Sequence, residues 1–594
     1  MPSSRRPPPR FRPVVRGAAL LAALCLLTAC GTTVAGSPEA RTGAVPAGTT
    51  ASSSSALTGQ ITQPSVLPGQ STTPTGPSAA ATAPSTAPTT GTPPTTVTGK
   101  PPVPKGLESF YGQKLAWGKC AEFATGAAET RDFGSSTLEC AYLGVPMVYA
   151  EPGGTTIKIG VLRKVATESS ARIGSLVMNP GGPGASGMSF VSQVANYQLA
   201  TELNAKFDLV GFDPRGIGSS KPLIGCQTDA ELDATRAAPP RSDTPAAVAA
   251  ANQQLKKYAG ECVTTTTAQG KVDGKKFLAN VGTRDVAKDI DVLRAVVGDT
   301  KLTYAGFSYG TRIGYVYAEQ FPDNVRAMIL DGAVDPDEDP ATSLVDQEKG
   351  FQKAFETFAA SCAQHASCAL GADPSKATAA FQSLTRPLLR TPLKLPDGRV
   401  LSYGDATLGV AAALYSSESW DDLEAAIAGL AKGSGTGLMA FADRYYGRDS
   451  SGRYSDKPDS FNAIRCVDEP RMTDSADVMK LNSAQAAAAP FEDSGDPAAN
   501  IPDLCAYWPV PPTLGPHRLH VPGLPQVLVI SSTGDPATPY ASGVDLAKQL
   551  GARLLTFEGT RHTAYLTGNS SCVDDAGNAY LIDLTLPAEG IRCR

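Results

Sequence analysis

The sequence predicts an α/β fold in which a mostly parallel sheet carries helices on both faces. Three observations predict it. Short apolar runs at residues 175–178, 207–212, 302–304, 327–330, 526–530 and 553–557 are the length of buried strands, not helices. Between them lie stretches with helical spacing, such as Val286, Ile290, Leu293 and Val297. Glycine-rich or acidic loops follow the strand ends, where a sheet of alternating strands and helices places its chemistry.

The chain has 594 residues, 42% of them apolar, enough for a large core and roughly two to four domains. Its first 29 residues read as a signal peptide: Arg5, Arg6, Arg10, Arg12 and Arg16 precede an apolar stretch too short to span a bilayer. The run Leu27, Thr28, Ala29, Cys30 resembles a lipobox, so Cys30 is the expected site of lipidation and the expected membrane anchor. Losing five arginines and no acids takes the formal charge from −5 to −10, a balance that argues against nucleic-acid partners. Residues 30–105 are rich in Ser, Thr, Pro and Ala and cannot bury enough surface to offset their ordering entropy, so a disordered tether is expected. Ten cysteines remain besides Cys25 and Cys30, an even number that favours disulfides in an exported chain. Local pairs are expected: Cys120 with Cys140, Cys226 with Cys262, Cys362 with Cys368, Cys466 with Cys505 and Cys572 with Cys593.

In chain order, residues 139–149 and 155–164 read as a hairpin at one sheet edge, with Pro152, Gly153 and Gly154 turning it. The run 175–178 ends in Asn179, Pro180, Gly181, Gly182, Pro183, Gly184. This loop lacks the lysine and the spacing of a phosphate cradle, and reads instead as half of an oxyanion hole, with the Gly182 amide as donor. The run 207–212 leads to Asp213, Pro214, Arg215 and Gly216; Arg215 is expected to join Asp213 in a buried network, with binding of a substrate carboxylate as the alternative. Residues 222–265 form an excursion between Cys226 and Cys262, and Thr283 stands where a helix start expects a cap.

Strand 302–304 breaks into Gly306, Phe307, Ser308, Tyr309, Gly310 and then turns helical, the pattern of a nucleophile elbow. The pentapeptide alone is a weak signal; a strand before it and a helix after it strengthen it. Ser308 is the candidate nucleophile, and the Tyr309 amide is the second oxyanion donor, at a helix start where the dipole adds to the field. After strand 526–530 come Gly534, Asp535, Pro536, Ala537, Thr538 and Pro539; after strand 553–557 come Gly559, Thr560, Arg561 and His562. This is the order serine, acid, histidine that the elbow requires. Asp331, at the end of another strand, competes with Asp535 for the acid role. His365, His517 and His520 do not follow a suitable strand.

The loop 179–184, the loop 213–220, the Ser308 elbow and the run 328–336 together resemble the secreted actinobacterial tripeptidyl aminopeptidases, α/β-hydrolases related to prolyl iminopeptidases. The resemblance runs from about Trp117 to the C-terminus. It implies a serine exopeptidase that removes short peptides from free N-termini, with a helical cap inserted in the hydrolase sheet; acyl transfer by a serine, an acid and a histidine is expected to need no cofactor or metal. On that plan residues 106–336 are the first part of the core, 337–516 a mainly helical cap and 517–594 the rest of the core. Helical spacing at 348–360, 420–430 and 476–487 fits a cap on its own terms. Within it, Asp468 and Glu469 are the expected partners for a substrate ammonium, Asp468 foremost because its setting resembles the family's pattern. A carboxylesterase or lipase of the same fold, and a non-catalytic envelope binding protein, stand as alternatives.

Overall fold

Strands buried on both faces read as continuous apolar runs, and the six runs all become strands of one ten-stranded sheet. The computed structural model describes residues 102–238 and 244–594; the expectations for the signal segment, Cys30 and most of the tether lie outside them. The strands are β1 Gly118–Lys119, β2 Leu138–Pro146, β3 Thr156–Lys164, β4 Gly174–Asn179, β5 Phe207–Phe212, β6 Leu302–Phe307 and β7 Val325–Asp331, then β8 Leu393–Lys394, β9 Val400–Leu401, β10 Leu528–Ser532, β11 Arg553–Phe557 and β12 Arg592–Cys593. The sheet order is β1-β2-β3-β5-β4-β6-β7-β10-β11-β12, while β8 and β9 pair separately. Pairing is antiparallel from β1 to β5 and parallel from there to β12. The predicted hairpin of β2 and β3 lies at the antiparallel end.

Successive strand residues point to opposite faces, so each central strand feeds two cores. Tyr304, Met328, Leu330 and Val529 pack on one face with Val286, Ile290, Ile313 and Val316 of the helices Thr283–Val296 and Tyr309–Gln320. Ala305, Ala327, Ile329, Leu528 and Ile530 pack on the other with Val191 and Leu581 of the helices Gly187–Asn196 and Ser571–Asp583. Register brings the carboxyl ends abreast: Asn179 pairs with Gly306, Phe307 with Asp331, and Asp331 with Ile530. The loops that follow these residues therefore meet.

Between β7 and β10 a third core forms among helices, centred on Phe355, Phe381 and Phe491, with the rings of Phe355 and Phe491 stacked at 4.9 Å. The helices Pro340–Cys362, Trp420–Ala431 and Ser475–Ala488 contain the three stretches read as helical, and Tyr403–Leu414, Thr436–Tyr446 and Lys457–Asp468 join them. All five expected disulfides form. Among the described residues no helix is long and apolar enough to cross a membrane. Two local expectations are corrected. Helix Thr283–Val296 starts at Thr283 as expected, but the cap position is Gly282, which has no side chain to bond, and the Thr283 hydroxyl donates to Asp468 instead. Arg215 pairs with Asp289, not Asp213.

Candidate active site

Ser308 joins β6 to helix Tyr309–Gln320 with φ 55° and ψ −128°, a backbone state that costs a non-glycine residue about 1–3 kcal/mol. The surroundings hold it there. Its amide donates to the Asp331 carbonyl at 2.8 Å, and its carbonyl accepts from the Thr311 amide and hydroxyl at 2.8 and 2.7 Å. Gly310 is needed because a Cβ there would run into the Asn179 carbonyl. The residue is only half-buried, so its hydroxyl is not sealed in.

Asp535 and His562 leave the ends of β10 and β11 and meet: Nδ1 of His562 lies 2.9 and 3.0 Å from the two carboxylate oxygens of Asp535. The amides of Ala537 and Thr538 donate to Asp535 Oδ1, both at 2.9 Å, and the Thr538 hydroxyl donates to Oδ2 at 3.0 Å. The carboxylate is thereby aimed. Tyr415 holds the histidine from the helical side, accepting the His562 amide at 2.8 Å and packing its ring edgewise at 5.4 Å. Burial on its own would lower the imidazole's pKa, but the charge and hydrogen bond of Asp535 outweigh it and raise it. The ring's Cε1 lies 3.2 Å from the position a Cβ on Gly332 would take, one residue beyond the strand end abreast of Phe307. The imidazole therefore sits beside the elbow, although Ser308 Oγ and His562 Nε2 make no hydrogen bond here.

Asp331, the competing acid, does not bond the imidazole. Its Oδ2 accepts the amides of Ala564 and Tyr565 at 2.7 and 2.8 Å, so it anchors the chain just past His562. Complete burial, with a contribution from the Asp535 charge, pushes it up to about 7.

The glycine loop after β4 lies against the elbow from the other side. Gly181 has φ +87°, and a Cβ there would strike the Phe307 carbonyl and the Tyr309 amide nitrogen; its own amide is tied back to Asn179 Oδ1 at 2.9 Å. Gly182 is exposed and its amide has no backbone acceptor among the described residues, and Tyr309 begins a helix whose first amides have no carbonyl four residues back.

Asp468 is brought to the elbow, but from behind. Its buried carboxylate accepts the Tyr309 hydroxyl and the Thr283 hydroxyl, each at 2.5 Å, together with the Thr283 amide. Its carbonyl accepts from Arg312 at 2.7 Å. Glu469 lies 3.6 Å from Arg465 and 3.9 Å from Arg312. Contrary to expectation, the carboxylate of Asp468 is not left to face a substrate ammonium and positions Tyr309 instead, while Glu469 stays half-buried beside the two arginines. Arg215 is fully buried and spends its guanidinium on Asp289 and three carbonyls, so it is closed to a substrate carboxylate. Asp213 takes the Ser186 and Ser219 groups that set the loops on either side. Sequence reading missed Tyr415 and the hydroxyl of Thr538: no motif points to the first, and the second stands two residues past Pro536 in a loop read only for its acid.

A parallel sheet with an elbow serine, an acid and a histidine at successive strand ends is the plan of an α/β-hydrolase, and a sequence profile of the alpha/beta hydrolase fold matches residues 174–569. Serine protease Hip1 of Mycobacterium tuberculosis is 47% identical over 462 residues, 76% of this chain and 87% of the relative. Carboxylesterase B of the same species is 44% identical over 480 residues, 80% of this chain and 89% of the relative. Tripeptidyl aminopeptidase of Streptomyces lividans is 31% identical over 467 residues, 77% of this chain and 83% of the relative. The chain belongs to the tripeptidyl aminopeptidase-like α/β-hydrolases.

Proposed function

We propose that the protein is an exported serine exopeptidase that releases short peptides from free N-termini through an acyl-enzyme. The observation that carries this reading is the Asp535–His562 pair, 2.9 Å apart beside a serine in a strained elbow. His562 Nε2 takes the Ser308 proton as Oγ attacks the scissile carbonyl, and Asp535 keeps Nδ1 protonated and stabilises the imidazolium. The missing Ser308–His562 hydrogen bond is compatible with this, because such bonds commonly tighten only when substrate binds. The amides of Tyr309 and Gly182 receive the oxyanion. His562 then protonates the departing amine, and water repeats the sequence to release the peptide. The helical region 337–516 acts as a cap that limits access to chain ends, and Cys30 anchors the protein to the membrane outside the cell.

The relative named a carboxylesterase favours a second reading, ester hydrolysis by the same residues. Turnover of a tripeptidyl amide with a free N-terminus, of its acetylated form and of a simple ester separates the two. The exopeptidase cleaves the free peptide much faster than the blocked one; equal cleavage of both, or ester turnover alone, contradicts it.

A further inference from the structure

We propose that Arg561 and Glu418 are positioning residues for His562: through this pair the helical region holds the general base in register with Asp535 and the elbow. This rests on His562 serving as the base and applies to peptide and ester hydrolysis alike.

The loop of the histidine is joined to the helical region by a short antiparallel ladder. Ser416 pairs with Arg561, the His562 amide donates to the Tyr415 carbonyl at 2.8 Å, and the Ser417 amide donates to the Thr560 carbonyl at 3.3 Å. Tyr415 ends helix Tyr403–Leu414, and Ser417 opens the turn Ser417–Ser419 that leads into helix Trp420–Ala431. The ladder is therefore pinned by a helix at each end of its outer strand. Arg561 grips it from within. Its side chain is nearly buried; Nε donates to the Thr563 carbonyl at 2.8 Å, spanning His562, and Nη1 donates to Glu418 Oε1 at 3.0 Å. The same oxygen accepts from Asn569 Nδ2 at 2.8 Å. One carboxylate of the helical region thus gathers both ends of the stretch 561–569.

The chain at the histidine needs such a brace. Thr563, the next residue, has φ 63°, a state that a β-branched side chain rarely adopts without support. Asp331 holds the chain beyond it through the amides of Ala564 and Tyr565. Arg561 and Glu418 hold the chain before it. An ion pair with one partner as exposed as Glu418 adds little to global stability, so its main effect is on the direction of the chain it grips. The planar guanidinium serves a carbonyl and a carboxylate at once, which a lysine ammonium does not do in the same fixed geometry. Among the described residues, the charged groups acting on the imidazole are Asp535 and Asp331. Neither Arg561 nor Glu418 is one of them, so removing Glu418 alters the base only by moving the ring.

Glu418→Ala and Arg561→Lys test this, with Glu418→Gln and His562→Ala beside them, on whichever of the tripeptidyl amide and the simple ester the wild type hydrolyses. For the first two variants kcat should fall about 10- to 100-fold, the range for a small misplacement of a reacting group, with KM little changed. Asp535 raises the imidazole's pKa, so a ring that loosens from it should carry the acid limb of the kcat profile to lower pH. Glu418→Gln keeps an acceptor oxygen for Arg561 and should recover most of kcat. A wild-type kcat in both variants overturns the assignment, and so does a fall in kcat with an unmoved acid limb, which marks lost stability alone. A His562→Ala enzyme as active as wild type overturns the base itself, and the assignment with it.

Discussion

Asp331 accepts the amide of Ser308 on its carbonyl at 2.8 Å, while its carboxylate takes the amides of Ala564 and Tyr565. One residue thereby fixes the distance between the nucleophile's strand and the loop of the histidine. Asp331→Ala leaves two buried amides without an acceptor, a cost of about 1–3 kcal/mol for each, and lets the imidazole drift. Thermal unfolding should show the lost stability, and kcat should fall with it; Asp331→Asn, which keeps one acceptor oxygen, should lose less of both.

In the proposed mechanism His562, as general base, works only when neutral. Asp535 raises the pKa of His562, so activity should climb with pH through a value above the ordinary 6.5 of histidine. Asp535→Asn removes the charge that raises it. The acid limb of the kcat/KM profile should move to lower pH, while kcat drops about 10⁴-fold because the imidazole loses its tautomer and orientation.

Gly181 is held at φ +87° against the Phe307 carbonyl and Tyr309 amide. A methyl group at that point pushes the glycine loop off the elbow and spoils the oxyanion donors. Gly181→Ala should reduce kcat by about 10²-fold or more, with binding of a product peptide, measured by inhibition, less affected.

Tyr309 has two separable parts. Its amide is the proposed oxyanion donor, whereas its hydroxyl serves the buried Asp468 at 2.5 Å. Tyr309→Phe should therefore destabilise the fold by about 1.5–3 kcal/mol, the range for a hydrogen bond to a charged group, and leave kcat nearly intact. Denaturant unfolding alongside steady-state kinetics checks both.

The Cys466–Cys505 disulfide ties the helix that ends in Asp468 to the turn Leu504–Tyr507 across a separation of 39 residues. Replacing both cysteines with alanine should lower stability by about 4 kcal/mol, read from chemical unfolding.

What the sequence disclosed follows from how each feature is encoded. Ser308, Asp535 and His562 stand in short loops after strong apolar runs, and chain order limits which acid and which histidine are eligible. Side-chain partnerships between distant segments leave no such trace. Asp468 carries a family-like pattern, but the Thr283 and Tyr309 hydroxyls that occupy it are 185 and 159 positions away. Arg215 was legible as a buried cation, whereas its partner Asp289 sits on a helix 74 positions on and was overlooked in favour of nearby Asp213.

The central claim is that Ser308 is the residue acylated, with His562 as its base. Intact-protein mass spectrometry after exposure to a fluorophosphonate tests it directly. The account predicts one adduct per wild-type chain, mapped to the peptide containing Ser308, and none on Ser308→Ala or His562→Ala. A Ser308→Ala protein labelled as fully as wild type would contradict it.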